Sequence, residues 1–159
     1  MEKTKKRLYD LMRRHGLSDF WGHGLNQQKT LIGECDLINK HISISKPMVL
    51  LNEKDNFEEI EDIILHEIAH ALTFEKYGWY VKSHGKEWKE IALSIGCSGR
   101  VTYDNIKVPD GKYEYKCINC GLTYKRHRRI TERSPICCSD CCDKYNDGKA
   151  SEEFKFVLV

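Results

Sequence analysis

Read for its hydrophobic and polar positions, the chain begins with a helix. Leu8, Leu11 and Met12 recur at helical spacing through residues 4–15, and Gly16 is a natural stop. The stretch "TLIGECDLINKHISIS" that follows is rich in β-branched residues. In it Ile42 and Ile44 alternate with Ser43 and Ser45, the signature of a half-buried strand that Pro47 should close. A longer helix comes next, capped by Asp55 or Asn56 with Glu58 or Glu59 as reciprocal partner. Its apolar stripe is Ile60, Ile63, Ile64, Ile68 and Leu72, and Gly78 ends it. A third helix fits residues 84–95, with Trp88, Ile91, Ala92 and Ile95 inward and Gly96 as its stop. From Val101 the texture turns to "VTYDNIKVPDGKYEYKC", which is turn and strand, and "EEFKFVLV" reads as a closing strand. These elements predict a domain over 1–109 and a smaller unit over 110–159, with the boundary near Pro109–Gly111 and no internal repeat.

Composition narrows the class without deciding it. With 159 residues, 40% hydrophobic and 31% charged, the chain is ordinary for a globular protein and holds one sizeable core. No run approaches the ~18 apolar residues of a membrane span. The basic N-terminus "MEKTKKRLYDLMRRHG" lacks the apolar region of a secretory signal, so a cytoplasmic, membrane-free monomer is expected. In that compartment eight cysteines, six of them within 117–142, signal metal rather than disulfides. A net charge of +2 makes no global case for nucleic acid. Locally, "EKDNFEEIED" (53–62) carries six acids and suits a solvated helix start, whereas "KRHRRITER" (125–133) carries five bases.

The chemistry centres on "ILHEIAHALTF", residues 64–74. His66 and His70, four apart on a helix, project from one face as two ligands of a tetrahedral zinc would. Glu67 lies about 100° around the helix, where it can serve as general base on a zinc-bound water without ligating the metal. Burying these polar groups among Ile63, Ile64, Leu65, Ile68 and Leu72 without partners would cost several kcal/mol, and a metal resolves the conflict. A catalytic zinc needs a third protein ligand, and three sources are open. His84 in "SHGKEW" is the foremost, Glu87 or Glu90 would give a two-histidine, one-carboxylate site, and Cys35 in "GECDL" would make a deformylase-type amidase.

Downstream, Cys117 and Cys120 in "CINC" and Cys138 and Cys141 in "CCSDCC" reproduce a zinc ribbon's paired knuckles with 17 residues between them. Cys137 or Cys142 could replace a neighbour, and Cys35 and Cys97 read as buried small hydrophobes. A structural zinc here would stabilise a unit too small for a core of its own. Between the knuckles, Lys125, Arg126, Arg128 and Arg129, with Tyr113, Tyr115 and Tyr124 nearby, suit phosphates and stacked bases, so DNA, single-stranded or with single-stranded character, is an expected partner. A solvated hairpin is the plain alternative.

"LHEIAHAL", then "HGKEW" after a short loop, then a Cys-x-x-Cys ribbon, together resemble the SprT-like zinc metalloprotease family of bacterial SprT and eukaryotic Spartan type. The resemblance runs from about residue 30 to the end and is strongest at His66, Glu67, His70 and the His84-Gly85-x-x-Trp88 unit. It implies an α+β, zincin-like metalloprotease domain with a small C-terminal zinc ribbon. It also implies a catalytic zinc on His66, His70 and His84, Glu67 as base, and cleavage of protein substrates, notably ones attached to DNA. Two zinc ions per chain are expected. A substrate strand is expected to pair with the Ile42–Ser45 edge. The rival readings are a non-catalytic, nucleic-acid-binding zinc-ribbon protein and the deformylase-type zinc amidase.

Overall fold

The computed structural model describes residues 1–131, 133 and 135–159. Two compact units partition the chain, Met1–Pro109 and Asp110–Val159, and both mix helices with a small sheet.

The first unit opens with α1 (Glu2–Arg14), which buries Leu8, Leu11 and Met12. Gly16, at φ 72°, turns the chain so that the Leu17 N–H bonds back to the Met12 carbonyl at 2.9 Å. Three strands follow: β1 (Gly22–Asn26), β2 (Gly33–Asp36) and β3 (His41–Ser45). Their order is β1-β3-β2, with β1 parallel and β2 antiparallel to β3. Ile42 and Ile44 are wholly buried on the core side. Ser43 and Ser45 are buried as well, because Asn26 donates to the Ser43 hydroxyl and Ser45 donates to the Gln28 carbonyl on the other face. Since β3 is the central strand, both its edges are already paired, which overturns the expectation that Ile42–Ser45 receives a substrate strand. The sheet's own edges are β1 and β2.

Pro47 does not follow the strand as a bare breaker. It sits in the first turn of α2 (Lys46–Asn52), where its missing N–H costs nothing, and the Ser45 hydroxyl caps that helix by accepting from Met48 N at 3.2 Å. Next comes α3 (Phe57–Tyr77), whose buried residues run from Ile60 to Thr73 and include His66 and Glu67. Asn56 precedes it without capping it through its side chain. Instead the polar residues around the helix start hold down the chain that returns after α4 (Lys86–Ser94). Asn52 pairs with both backbone groups of Lys107, Asn56 donates to Asn105 O, and Glu59 meets Arg100 at 2.9 Å. The expected capping box is therefore replaced by a strap over residues 98–107. The core joins α1, β3, α3 and α4 through Leu11, Ile42, Ile64, Ile68 and Trp88.

In the second unit β4 (Tyr113–Cys117) pairs antiparallel with β5 (Thr123–Arg126) and with β6 (Phe156–Leu158). A short α5 (Ser139–Tyr145) carries the later cysteines. The interior of this unit is Cys117, Cys138, Cys141, Cys142 and Phe154, so sulfur stands where aliphatic side chains would normally pack. Among the described residues no helix is long and apolar enough to cross a membrane.

Candidate metal centres

Helix α3 presents His66 and His70 one turn apart, and His84 comes to them from the loop just before α4. The three Nε2 atoms form a triangle with every side 3.1 Å. Three corners of a tetrahedron with bonds of about 2.0–2.1 Å would be separated by about 3.3 Å, so the triangle fits a zinc-sized cation. At least one corner is an acceptor. The His66 Nδ1 lies 3.1 Å from the Arg100 carbonyl, an acceptor only, so Nδ1 carries the proton and Nε2 faces the triangle as a lone pair.

Trp88, one turn beyond His84 on α4, lies behind all three imidazoles. Its ring centroid is 4.7 Å from His66, 4.8 Å from His84 and 5.4 Å, stacked, from His70. Burial and the neighbouring histidines push the His70 pKa down to about 3, and burial lowers His66 and His84 as well. All three are thereby held neutral, the form that binds metal.

Glu67 is 8% exposed. Burial, reinforced by the Glu34 carboxylate, pushes its pKa up to about 8. A cation in the histidine triangle would oppose that shift by favouring the carboxylate. Glu67 packs under β2 at Gly33, where a Cβ would come within 2.5 Å of the Glu67 Oε1. Of the three sources open for a third ligand, the structure brings His84 to the histidine pair. Glu90 is exposed and faces Lys86 at 3.8 Å, and neither it nor Glu87 joins the cluster. Cys35 stays outside it too, with its thiol pKa raised by burial and by Glu67.

Behind His66 stands an outer layer that motif reading did not find. Asp62, one turn earlier on α3, accepts from the Ser98 N–H and hydroxyl, each at 2.6 Å, and from the Tyr103 hydroxyl at 2.9 Å. These bonds hold the loop whose Arg100 carbonyl faces His66. The available signal was the helical spacing of Asp62 and His66, hidden within an acidic run that looked merely solvated.

In the second unit Cys117, Cys120, Cys138 and Cys141 gather their sulfurs within 4.8 Å of one another. The Cys117–Cys141 and Cys120–Cys138 separations are both 3.8 Å, matching the edge of a tetrahedron with bonds of about 2.3 Å. Cys120 lies in the turn after β4, which Gly121 closes at φ 77°, and Cys138 and Cys141 start α5. Cys137 turns instead toward the Ser151 carbonyl at 3.3 Å, and Cys142 is buried outside the group. Both donor sets are consistent with zinc.

The basic residues divide. Lys125 and Arg126 lie on β5, with Lys125 3.4 Å from Asp110, and exposed Arg128 and Arg129 follow, Arg129 over the Tyr113 ring. The expected aromatic platform is smaller than the sequence suggested. Tyr115 is buried, and Tyr124 packs edge-on against Phe156 at 4.5 Å.

The profile of the SprT-like family matches residues 6–109. The chain belongs to the SprT-like family. It is 34% identical over 112 residues to Protein SprT of Proteus mirabilis, covering 66% of this chain and 64% of that one. Against Protein SprT of Yersinia enterocolitica the figures are 29% over 125 residues, 75% and 71%, and against that of Shigella flexneri 32% over 115 residues, 69% and 67%. The match thus covers under two thirds of the Proteus mirabilis relative's length. Family membership suggests a metallopeptidase, and the three histidines and Glu67 lie within the matched region.

Proposed function

We propose that this SprT-like protein is a zinc-dependent endopeptidase that acts on DNA-associated proteins. The observation that carries the reading is the triangle of imidazole nitrogens beside the buried Glu67, on a helix that packs against an edge strand. His66, His70 and His84 would hold a zinc ion through their Nε2 atoms, and it would supply Lewis acidity toward a peptide carbonyl and water. Glu67 takes a proton from water on one oxygen and delivers it to the departing amine, and its burial keeps that proton from bulk solvent. The unpaired side of β2, next to Gly33, is where an extended peptide can add as a further strand, so backbone hydrogen bonds orient the scissile bond.

The same observation weighs against the rivals. A purely structural metal site gives no reason to bury Glu67, and a deformylase-type amidase would draw Cys35 into the donor set, which it does not join. For DNA, the support is the cation set of Lys125, Arg126, Arg128 and Arg129 on and after β5. The ion pair of Lys125 with Asp110 is exposed, so a phosphate can displace it at little cost. The second unit takes its zinc on Cys117, Cys120, Cys138 and Cys141 as a closed ribbon site.

The deciding experiment is cleavage of a DNA-bound protein by wild type and Glu67→Gln, with and without single-stranded DNA. Loss of general-base action should slow turnover by about 10²- to 10⁴-fold with zinc content unchanged. Full activity of Glu67→Gln would remove the mechanism.

A further inference from the structure

A cavity of about 130 Å³ opens beside His70. Leu37, Phe74, Trp79 and Val81 line it together with the polar Thr73, Lys82 and Ser83. We propose that this cavity is a substrate subsite that takes one apolar side chain, aliphatic or single-ring, from the peptide residue flanking the scissile bond. The proposal rests on the endopeptidase reading and adds to it a residue preference.

Three observations carry it. The first is location: His70 is both a corner of the histidine triangle and part of the cavity lining, so a side chain in the cavity lies next to the reacting centre. Leu37 directly follows β2, so a peptide laid along the free edge of that strand meets the cavity at the strand's end.

The second is chemistry. Thr73 has committed its hydroxyl to the Ala69 carbonyl at 2.6 Å, so it offers no free donor. Trp79 stands edge-on to Phe74 at 4.8 Å, and Phe74 is edge-on to Trp21 at 6.4 Å, which anchors the wall to the core. Trp79 nevertheless remains 61% exposed, an apolar surface on which an incoming side chain can close.

The third is size. A cavity of about 150 Å³ has room for a benzene-sized guest, so by volume this one admits a Leu, Met or Phe side chain and is tight for Trp. An ionised carboxylate would lose its hydration against the indole and aliphatic walls, with only the solvent-screened Lys82 ammonium to offset that loss.

Selectivity of about tenfold or more between an apolar residue and alanine follows from the burial such a pocket offers. The test uses the full-length zinc-loaded protein and a degenerate peptide mixture whose products are sequenced by mass spectrometry. One position beside the cleaved bond should favour Leu, Met or Phe about tenfold over Ala, and over Asp by more. Val81→Trp fills the cavity and should bring the Leu-to-Ala ratio of kcat/KM to about one or below. Leu37→Ala enlarges it and should admit Trp.

A binding measurement separates this idea from the catalytic reading. Peptide hydroxamates differing only in a Leu, Ala or Asp side chain are titrated calorimetrically into zinc-loaded Glu67→Gln protein. Preference for Leu that Val81→Trp abolishes supports the subsite, even if wild type cleaves no peptide, an outcome that would remove only the endopeptidase reading. Equal affinity for all three side chains, or a Leu preference untouched by both Val81→Trp and Leu37→Ala, overturns the subsite whatever the activity.

Discussion

Replacing Asp62 with alanine should weaken zinc at the helical site although Asp62 is not a ligand. Its carboxylate accepts three hydrogen bonds from the returning loop, two from Ser98 at 2.6 Å and one from Tyr103 at 2.9 Å. Arg100, on the same loop, adds an ion pair at 3.5 Å. The side chain is 14% exposed, so the bonds are little diluted by solvent. At about 1 kcal/mol net for a typical bond, their joint loss costs the loop on the order of 3 kcal/mol. What the loop delivers is the Arg100 carbonyl at 3.1 Å from His66 Nδ1, which fixes the ring and its tautomer. Outer-layer losses of this kind lower metal affinity about 10- to 100-fold, equivalent to about 1.4–2.8 kcal/mol.

Competition with a fluorescent chelator reads the helical site separately from the tighter four-sulfur site. Nitrogen-15 NMR of His66 reads the tautomer directly. Asp62→Asn keeps an acceptor for Ser98 and should restore much of the affinity. Burial alone would raise the Asp62 pKa, but the hydrogen bonds from Ser98 and Tyr103 outweigh it and hold the carboxyl below its ordinary value. A depressed carboxylate pKa contributes stability above the unfolded value, about 3.9, and loses it as pH falls through the folded value. The loop should therefore stay fastened from neutral pH down to about 4. If Asp62→Ala lowers Tm yet leaves helical-site affinity within twofold and the His66 tautomer unchanged, the loop only stabilises the fold.

Further outcomes follow from the same geometry. Gly33→Ala drives a methyl into Glu67 and should reduce cleavage at least tenfold with zinc content retained, as elemental analysis and peptide turnover will show. His84→Ala should lose the helical zinc and all activity while Cys35→Ser keeps both; the reverse would restore the deformylase-type arrangement. Cys117→Ser should release the second zinc and unfold Asp110–Val159, leaving the circular dichroism of the helical unit intact, whereas Cys137→Ser and Cys142→Ser should keep two zinc ions per chain. Serine at Lys125, Arg126, Arg128 and Arg129 together should flatten the salt dependence of DNA binding and slow cleavage of DNA-bound protein far more than that of a free peptide; equal losses on both substrates would assign the segment to folding.

What the sequence made legible was local. The apolar stripe Ile60–Ile63–Ile64–Ile68 defines a helix whose period alone puts His66 and His70 on one face, and the knuckle spacing of Cys117, Cys120, Cys138 and Cys141 needs no tertiary information. Strand order was not legible, because alternation in Ile42–Ser45 tells which face is buried and not whether neighbours lie on one side or both. Buried serines on the supposedly wet face mark a central strand, yet their partners Asn26 and Gln28 come from a segment with no strand pattern. The same limit hid the strap over residues 98–107. Asn52, Asn56, Glu59 and Asp62 look like capping and solvating residues when their partners, 36 to 55 positions away, are unknown.

These blind spots share a physical basis, and it bears on how the site works. Ligands that sit within one helix turn or one knuckle are specified by backbone geometry, so a motif reports them. Groups that orient a ligand or a base act across the fold, through single hydrogen bonds, as Arg100 does on His66, or through close packing, as Gly33 does on Glu67. A donor set alone binds metal, whereas a hydrolase must also set the tautomer of a ligand and the environment of a base. In this chain the His66 proton is set by a loop fastened to Asp62, and the Glu67 pKa is raised by burial and by the Glu34 carboxylate on the strand beside it. Loss of the Gly33 packing should leave a protein that keeps its zinc but turns over poorly, whereas loss of the Asp62 tie should weaken zinc as well; the separation of binding from turnover at Gly33 is the behaviour expected of a catalytic centre and not of a structural one.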